Sequence, residues 1–199
     1  DQQQTRETAE GVAFLQTALG SLMLRKNDPA AAAEWYSKTA VLWQRARQSA
    51  DGIPERRAYG EALLGWGKAL LLQQEMDDAE TISQKALRLF QEQAERYRTL
   101  ECIRSYSVAL NLCGRIAEAK ADHPAASRYY TVSLECRRDL LKHFTSNGGI
   151  YDCALSRMLL AQVEHLQGLN RPAKQGYDEV LQMLRPLLPK DQNQSWHLL

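Results

Sequence analysis

Apolar side chains recur along the chain at intervals of three and four residues, which is the spacing of one face of an α-helix. Leu63, Trp66 and Leu70 form one such row, and residues 155–166 form another in which Gln162 interrupts three leucines. Breaks at Pro, Gly, Asn and Asp divide the pattern into segments of about 20 residues. The predicted helices cover residues 5–26, 29–50, 54–75, 77–97, 100–121, 124–144, 148–168 and 171–186.

Small residues recur in triplets with steps of 12 and 7 residues, and the triplets recur every 46 or 47 residues. Eleven of the twelve positions hold Ala, Gly or Ser, which allow two helices to approach closely; Val180 is the exception. The triplets are Ser21, Ala33 and Ala40; Gly67, Ala79 and Ala86; Gly114, Ala126 and Ser133; Ala161, Ala173 and Val180. A lone helix pair cannot bury its apolar face, so this period predicts stacked helix pairs.

Turn signals follow the same period. Pro29, Pro124 and Pro172 each lie just before the middle residue of a triplet, where proline suits the first turn of a helix. The expected N-cap residues are Asn27-Asp28, Asp77-Asp78, Asp122 and Asn170. These signals predict one domain over residues 1–190 and a tail over 191–199. Its units cover about residues 5–50, 54–97, 100–144 and 148–186.

Composition supports helix and opposes sheet, because the chain has 29 Leu and 25 Ala but only 6 Val and 5 Ile. The net charge of +1 gives no support for a nucleic-acid partner or for attraction to an anionic membrane. No stretch approaches the roughly 20 apolar residues that a membrane span needs. We therefore expect a globular all-α protein that does not insert into a membrane.

The sequence offers no set of residues for catalysis or for metal binding. The four histidines and four cysteines form no His-x-x-x-His and no Cys-x-x-Cys spacing, and no phosphate loop or nucleophile motif is present. We therefore expect no enzyme activity and no cofactor. The cysteines are expected to be free thiols, although Cys102–Cys136 and Cys136–Cys153 stay open as disulfides because these helix ends lie on one side of the stack.

Several repeated positions resemble those of tetratricopeptide repeats. Trp66, Cys113 and Leu160 precede the first small residue of a triplet, and Tyr130 and Tyr177 follow the second by four residues. The resemblance implies an all-α, right-handed solenoid of about four antiparallel helix pairs. The familiar unit has 34 residues, so a period of 47 implies that both helices are longer by about two turns.

Two segments are also similar to the long-period repeat tails of bacterial membrane-anchored serine/threonine kinases and related signalling proteins. They are residues 5–22 and 128–148. This similarity implies a regulatory or sensor part of a larger bacterial signalling protein; no kinase motif is present, so no kinase activity is implied. The compartment stays open between the cytoplasm, which we favour slightly, and the extracytoplasmic part of a membrane-anchored protein.

The resemblance further implies that the first helix of each pair lines a concave groove for a protein or peptide ligand. The corresponding groove residues are Glu61, Leu64, Lys68, Asn111, Arg115, Glu118, Met158, Gln162 and His165. The Lys/Asn/Arg set with which some members clamp a C-terminal carboxylate is matched only in scattered positions, so a receptor for chaperone tails is not expected.

The apolar ends of the array suggest an alternative function. Val12 and Phe14 near the start, and Leu181 and Leu184 near the end, have no polar capping helix beyond them, although repeat arrays normally have polar ends. The chain would then be a structural oligomerisation scaffold, with a homodimer formed through its end helices. A further alternative is that the tail, residues 191–199, folds back over the last helix pair.

Overall fold

The computed structural model describes residues 2–49 and 52–188, and these residues form helices and no strand. The helices are α1 (Gln2–Arg25), α2 (Pro29–Ser49), α3 (Ile53–Leu72), α4 (Met76–Tyr97), α5 (Leu100–Ala119), α6 (His123–His143), α7 (Asn147–Leu166) and α8 (Asn170–Leu184). A short 3₁₀ turn, Arg185–Leu187, follows α8. Each predicted helix boundary lies within three residues of the observed one. The predicted tail, 191–199, lies outside the described residues.

The helices form an open stack of antiparallel pairs. Each helix packs mainly against the helix before it and the helix after it, and smaller contacts join α1 to α3 and α3 to α5. The first helices of the pairs (α1, α3, α5 and α7) therefore form one layer, and the second helices (α2, α4, α6 and α8) form the other. This arrangement confirms the predicted all-α, tetratricopeptide-like solenoid of four helix pairs.

The turn inside each pair is the same in all four units. Its central residue has a positive φ, of 60° at Asn27, 64° at Gln74, 58° at Ala121 and 77° at Gly168. The next residue donates its N–H to the carbonyl oxygen five residues earlier, at 2.8–3.0 Å. These two features define a Schellman-type helix end. The four central residues are spaced by 47, so the tight turn has the same period as the core.

The structure corrects the sequence register of the first unit by one residue. Gly20 and Ala32 are buried, whereas Ser21 is exposed and Ala33 is only half-buried. Thr39 and Ala40 are both buried, so the first two positions decide the register. With this shift the period is 47 throughout, and the middle member of the first triplet is Ala32. Thr39 fits between helices because its hydroxyl donates to the Trp35 carbonyl oxygen of its own helix at 2.9 Å.

Glycine on a first helix makes room for a tyrosine on the second. The Tyr130 ring, which is 0% exposed, lies directly over Gly114, and the Tyr36 ring lies over Gly20 in the same way. The fourth unit has Ala161 at the glycine position, and its tyrosine, Tyr177, is 38% exposed. The additional methyl group of Ala161 occupies the space that the ring fills in the first and third units. The second unit has Ser83 at the tyrosine position, and its hydroxyl faces Gly67.

The N-caps differ in part from the sequence prediction. Asp28 and Asp122 cap as expected, accepting from the N–H groups of Ala31 and Ala125 at 3.0 and 2.9 Å. The prediction was wrong at the other two turns. Asp77 and Asp78 lie inside the first turn of α4, where the positive end of the helix dipole stabilises their negative charges. Asn170 is already the first residue of α8.

The core between the two layers becomes charged toward the last unit. Arg157 takes the register position that Leu110 holds one unit earlier, and its guanidinium is buried over Gly176. Its Nε and Nη1 atoms donate to Glu179 and Glu164 at 2.9 and 3.2 Å. A buried guanidinium is stable only when its donors are satisfied, and these carboxylates provide that.

Candidate ligand groove

A continuous groove of about 1330 Å³ runs across the first helices. Two complete rows of repeated positions line it, one residue from each unit in each row. The rows are Ser21, Lys68, Arg115 and Gln162, and, one helical turn further along, Arg25, Leu72, Ala119 and Leu166. The 47-residue period that sets the core therefore also sets the lining of this surface, which we call the groove.

Six of the nine predicted site residues line the groove, and three do not. Those that line it are Leu64, Lys68, Asn111, Arg115, Glu118 and Gln162. Glu61 lies outside it and pairs with Arg57 at 3.7 Å. His165 is exposed at the turn before α8, with its Nδ1 3.2 Å from the Asn170 Oδ1, and Met158 also lies outside the lining. That any of these residues binds a ligand stays a prediction.

Two groove residues belong to hydrogen-bond networks of the fold. Asn111 donates from Nδ2 to the Ser156 hydroxyl at 3.1 Å, and Ser156 is 3.0 Å from the Ser133 hydroxyl, which donates to a backbone carbonyl of α5 at 3.1 Å. Glu118 accepts from the Tyr130 hydroxyl at 3.1 Å and from Gln162 Nε2 at 2.9 Å. These bonds fix the two side chains in the floor of the groove.

Burial shifts the pKa of two side chains that lie outside the groove lining, Tyr130 and Glu61. Burial raises the pKa of the Tyr130 hydroxyl, and the carboxylate of Glu118 beside it raises that pKa further. Burial likewise raises the pKa of Glu61, while Arg57 opposes this effect. Tyr130 therefore stays a neutral donor to Glu118 in the physiological range.

The groove also contains residues that the sequence analysis missed. Arg25 and Leu72 follow the 47-residue period and could have been found from it. Arg137 comes from a second helix and is buried beside Asp152, with which it forms an ion pair; Arg104 lies 3.2 Å from the same carboxylate. Phe90 holds the position of Arg137 one unit earlier, so the repeat pattern gave no signal for a charge there.

The described residues include no group of three His, Cys, Asp or Glu side chains placed to hold a metal ion. The four cysteines are free thiols, so neither Cys102–Cys136 nor Cys136–Cys153 is formed. Burial raises the pKa of the Cys113 thiol to about 12. Across residues 2–49 and 52–188, no helix is long and apolar enough to cross a membrane.

The first helix has an apolar outer face without a partner among the described residues. Leu15 is 62% exposed, whereas the equivalent positions of the later units are buried by the preceding second helix. Those positions are Ala62, Ala109 and Ser156. The face of α1 therefore corresponds to a surface that a helix covers in every later unit.

The last helix has a similar face. Leu181 is 65% exposed, and its equivalents, Ala40, Leu87 and Leu134, are buried by the following first helix. If one copy stacked on another, with α8 against α1, the two end faces would not form the ion pairs of an internal junction between helix pairs. Lys120 Nζ lies 3.0 and 2.6 Å from Asp77 and Glu80 at an internal junction, but the equivalent residues at the ends are all cations. They are Lys26, Arg171 and Lys174.

Comparison with known proteins supports the fold only. No protein-family model matches the sequence, and no curated protein matches it. The structure is similar to BtubC (BKLC) from P. vanneervenii, with a TM-score of 0.71 and 14% identity over 90% of this chain and 65% of that chain. This chain thus spans slightly less than two thirds of that protein. A second match, Cut9 of the APC/C hetero-tetramer Cut9–Hcn1, has a TM-score of 0.39 and 20% identity over 86% of this chain and 33% of that one.

Proposed function

We propose that this chain is a non-enzymatic protein-interaction module whose groove binds a peptide or a segment of a partner protein. The observation that supports this proposal is the continuous groove of about 1330 Å³, lined by one residue per unit in two complete rows. Pockets for small molecules are typically about 300–1,000 Å³. A larger and elongated surface suits a polypeptide better than a metabolite.

The character of the lining supports a ligand with side chains. Leu72, Val108 and Leu166 line the groove and are exposed to solvent, and the polar side chains of Lys68 and Arg115 lie among them. A mixture of apolar contact area and a few fixed polar groups is typical of peptide recognition. We further propose that the module is a regulatory or sensor part of a larger bacterial signalling protein, as the similarity of residues 5–22 and 128–148 to kinase tails implies.

A matched pair of valines tests the groove directly. Val108 lines it and is 41% exposed, whereas Val132 on α6 lies outside it and is 36% exposed. Peptides would be selected from a random phage-displayed library on the wild-type protein and their dissociation constants measured by fluorescence anisotropy. Val108→Glu should weaken binding by about tenfold or more, which is about 1.4 kcal/mol, and Val132→Glu should leave it unchanged. Equal effects of the two substitutions would reject the groove as the binding surface.

A second candidate function is a homodimeric scaffold, and the exposed Leu15 and Leu181 favour it. Since the two faces do not complement each other, the arrangement consistent with them is an isologous dimer that joins two α1 or two α8 helices. Multi-angle light scattering on the intact chain would give a dimer mass, and Leu15→Glu or Leu181→Glu would restore the monomer. A monomer for the intact chain at high concentration would reject this candidate.

A further inference from the structure

The groove has an excess of positive charge in a chain that is almost neutral. Four Arg or Lys side chains line it, against two carboxylates, while the whole chain has a net charge of +1. Arg25, Lys68 and Arg115 have no ion-pair partner among the described residues. We propose that the ligand of the groove is an acidic amphipathic helix whose carboxylates recur every seven residues. This proposal depends on the proposed function, because it specifies the ligand of the same groove.

The spacing of the cations determines the spacing of the carboxylates. Lys68 and Arg115 hold the same register position on α3 and α5, which contact each other, and packed helices lie about 8–10 Å apart. On α1 the same register position holds Ser21, and the nearest cation in the groove lining is Arg25, one helical turn further along. In a helical ligand that crosses the first helices, residues i and i+7 share one face and lie about 10.5 Å apart. An extended ligand would place residues about 10 Å apart at i and i+3, which point to opposite faces of a strand.

At the far end of the groove, two arginine side chains lack a full set of carboxylate and hydrogen-bond partners. Arg137 and Arg104 share the single carboxylate of Asp152, so this end also has an excess of positive charge. Arg137 is buried, and its Nε atom has no hydrogen-bond partner. A buried guanidinium nitrogen without an acceptor is costly, and a carboxylate from a ligand would satisfy it.

The apolar lining determines the rest of the ligand. Leu72 and Leu166 lie in the row next to the cations, and Leu112 and Leu159 lie on the neighbouring face of the same first helices. Leucines at i+3 and i+4 of the ligand would contact these side chains between the ion pairs. Among the residues that the structure describes, Tyr36 is the one aromatic side chain in the groove lining, so this lining lacks the stacking surfaces with which proteins bind single-stranded nucleic acid.

A charge-matched pair of double variants tests the proposal on the full chain. The probe is a fluorescein-labelled, helix-stapled peptide with Glu at i, i+7 and i+14 and Leu at the intervening i+3 and i+4 positions, and its control has Gln for Glu. Lys68→Glu/Arg115→Glu should weaken binding of the Glu peptide by about tenfold or more. Lys85→Glu/Arg88→Glu, on exposed positions of α4, changes the net charge equally and should alter binding by less than about twofold.

The outcomes separate this proposal from the proposed function. Binding of the Glu peptide that is lost in the Gln peptide and in the groove double variant supports the proposal. If both peptides bind equally well and Val108→Glu weakens their binding, the ligand need not be acidic and the proposal is overturned, but the groove remains the binding surface. Binding that is insensitive to Val108→Glu also overturns the groove as the binding surface. No binding of the Glu peptide at millimolar concentration, or binding of an RNA oligonucleotide in its place, overturns the proposal.

Discussion

Substitution of Gly114 by alanine tests the contact that holds a helix pair together. A Cβ atom at this position would lie 2.8 Å from Cδ1 and 2.9 Å from Cζ of Tyr130, and closer still to Cε1. Carbon atoms in favourable contact are about 3.5–4.0 Å apart. The ring would have to move by close to 1 Å, but it is fully buried and its hydroxyl is bound to Glu118.

Two opposing effects determine the magnitude. Replacing glycine by alanine inside a helix stabilises it by about 1 kcal/mol. Overpacking a filled core costs about 1–3 kcal/mol, and contacts this short on three ring atoms place the cost near the upper end. We expect Gly114→Ala to lower the free energy of unfolding by about 2 kcal/mol. Gly11 is the matched control, because a Cβ atom there meets nothing within 4 Å, and Gly11→Ala should stabilise by up to about 1 kcal/mol.

Urea unfolding followed by circular dichroism would measure both variants, and the two shifts should have opposite signs. A double-mutant cycle with Tyr130→Ala identifies the cause. Once the ring is gone, Gly114→Ala should no longer destabilise the protein, so the two substitutions should be strongly non-additive. Stabilisation by Gly114→Ala in the wild-type background, or additive effects in the cycle, would refute the contact.

Three further predictions concern the turn, the buried ion pair and the thiol. In urea unfolding, Ala121→Gly should stabilise by about 1 kcal/mol and Gly168→Ala should destabilise by a similar amount, because both positions have positive φ; shifts of the same sign would contradict this. Glu179→Gln should cost about 2 kcal/mol by the same measurement, less than a fully broken buried pair because Glu164 still binds Arg157; a loss below about 0.5 kcal/mol, as for a surface pair, would be inconsistent with burial. The pKa of Cys113 is higher in the folded state than in the unfolded state. The protonated thiol therefore makes its full contribution to the free energy of unfolding below pH 9, and that contribution falls by up to about 4 kcal/mol as the pH rises to about 12. Cys113→Ala should remove that part of the alkaline pH dependence in thermal melts, and identical pH profiles would disprove it.

The helices and three of the four repeat registers could be predicted from the sequence because three of the four turns within pairs are marked by a proline, and proline suits the first turn of a helix. Pro29, Pro124 and Pro172 all lie in the first turns of helices. The first register slipped by one residue because residues 30–33 are all alanine. In such a run the small residue that faces the neighbouring helix cannot be distinguished from the one beside it. The two are distinguished only by the structure, in which Ala32 is buried and Ala33 is half-buried.

The groove residues that follow the helical repeat could be predicted from the sequence. Those that extend into the groove from the other layer of helices could not. Lys68, Arg115 and Gln162 hold the same register position on their helices, so the resemblance to tetratricopeptide repeats, carried onto this register, placed them together. Arg137 replaces a core phenylalanine of the preceding unit and enters the groove from the other layer of helices, where it finds Asp152. That pairing depends on tertiary packing, which a repeat period does not encode.

The most direct test of the central claim is to map a bound peptide onto the surface of the protein. Amide shifts of the ¹⁵N-labelled chain would be followed by NMR during titration with a peptide selected from a random library. We predict that the perturbed residues cluster on α3, α5 and α7 around the rows that include Lys68, Leu72, Arg115 and Leu166. Perturbations confined to the outer surfaces of α4 and α6, or to the end faces of α1 and α8, would contradict the claim.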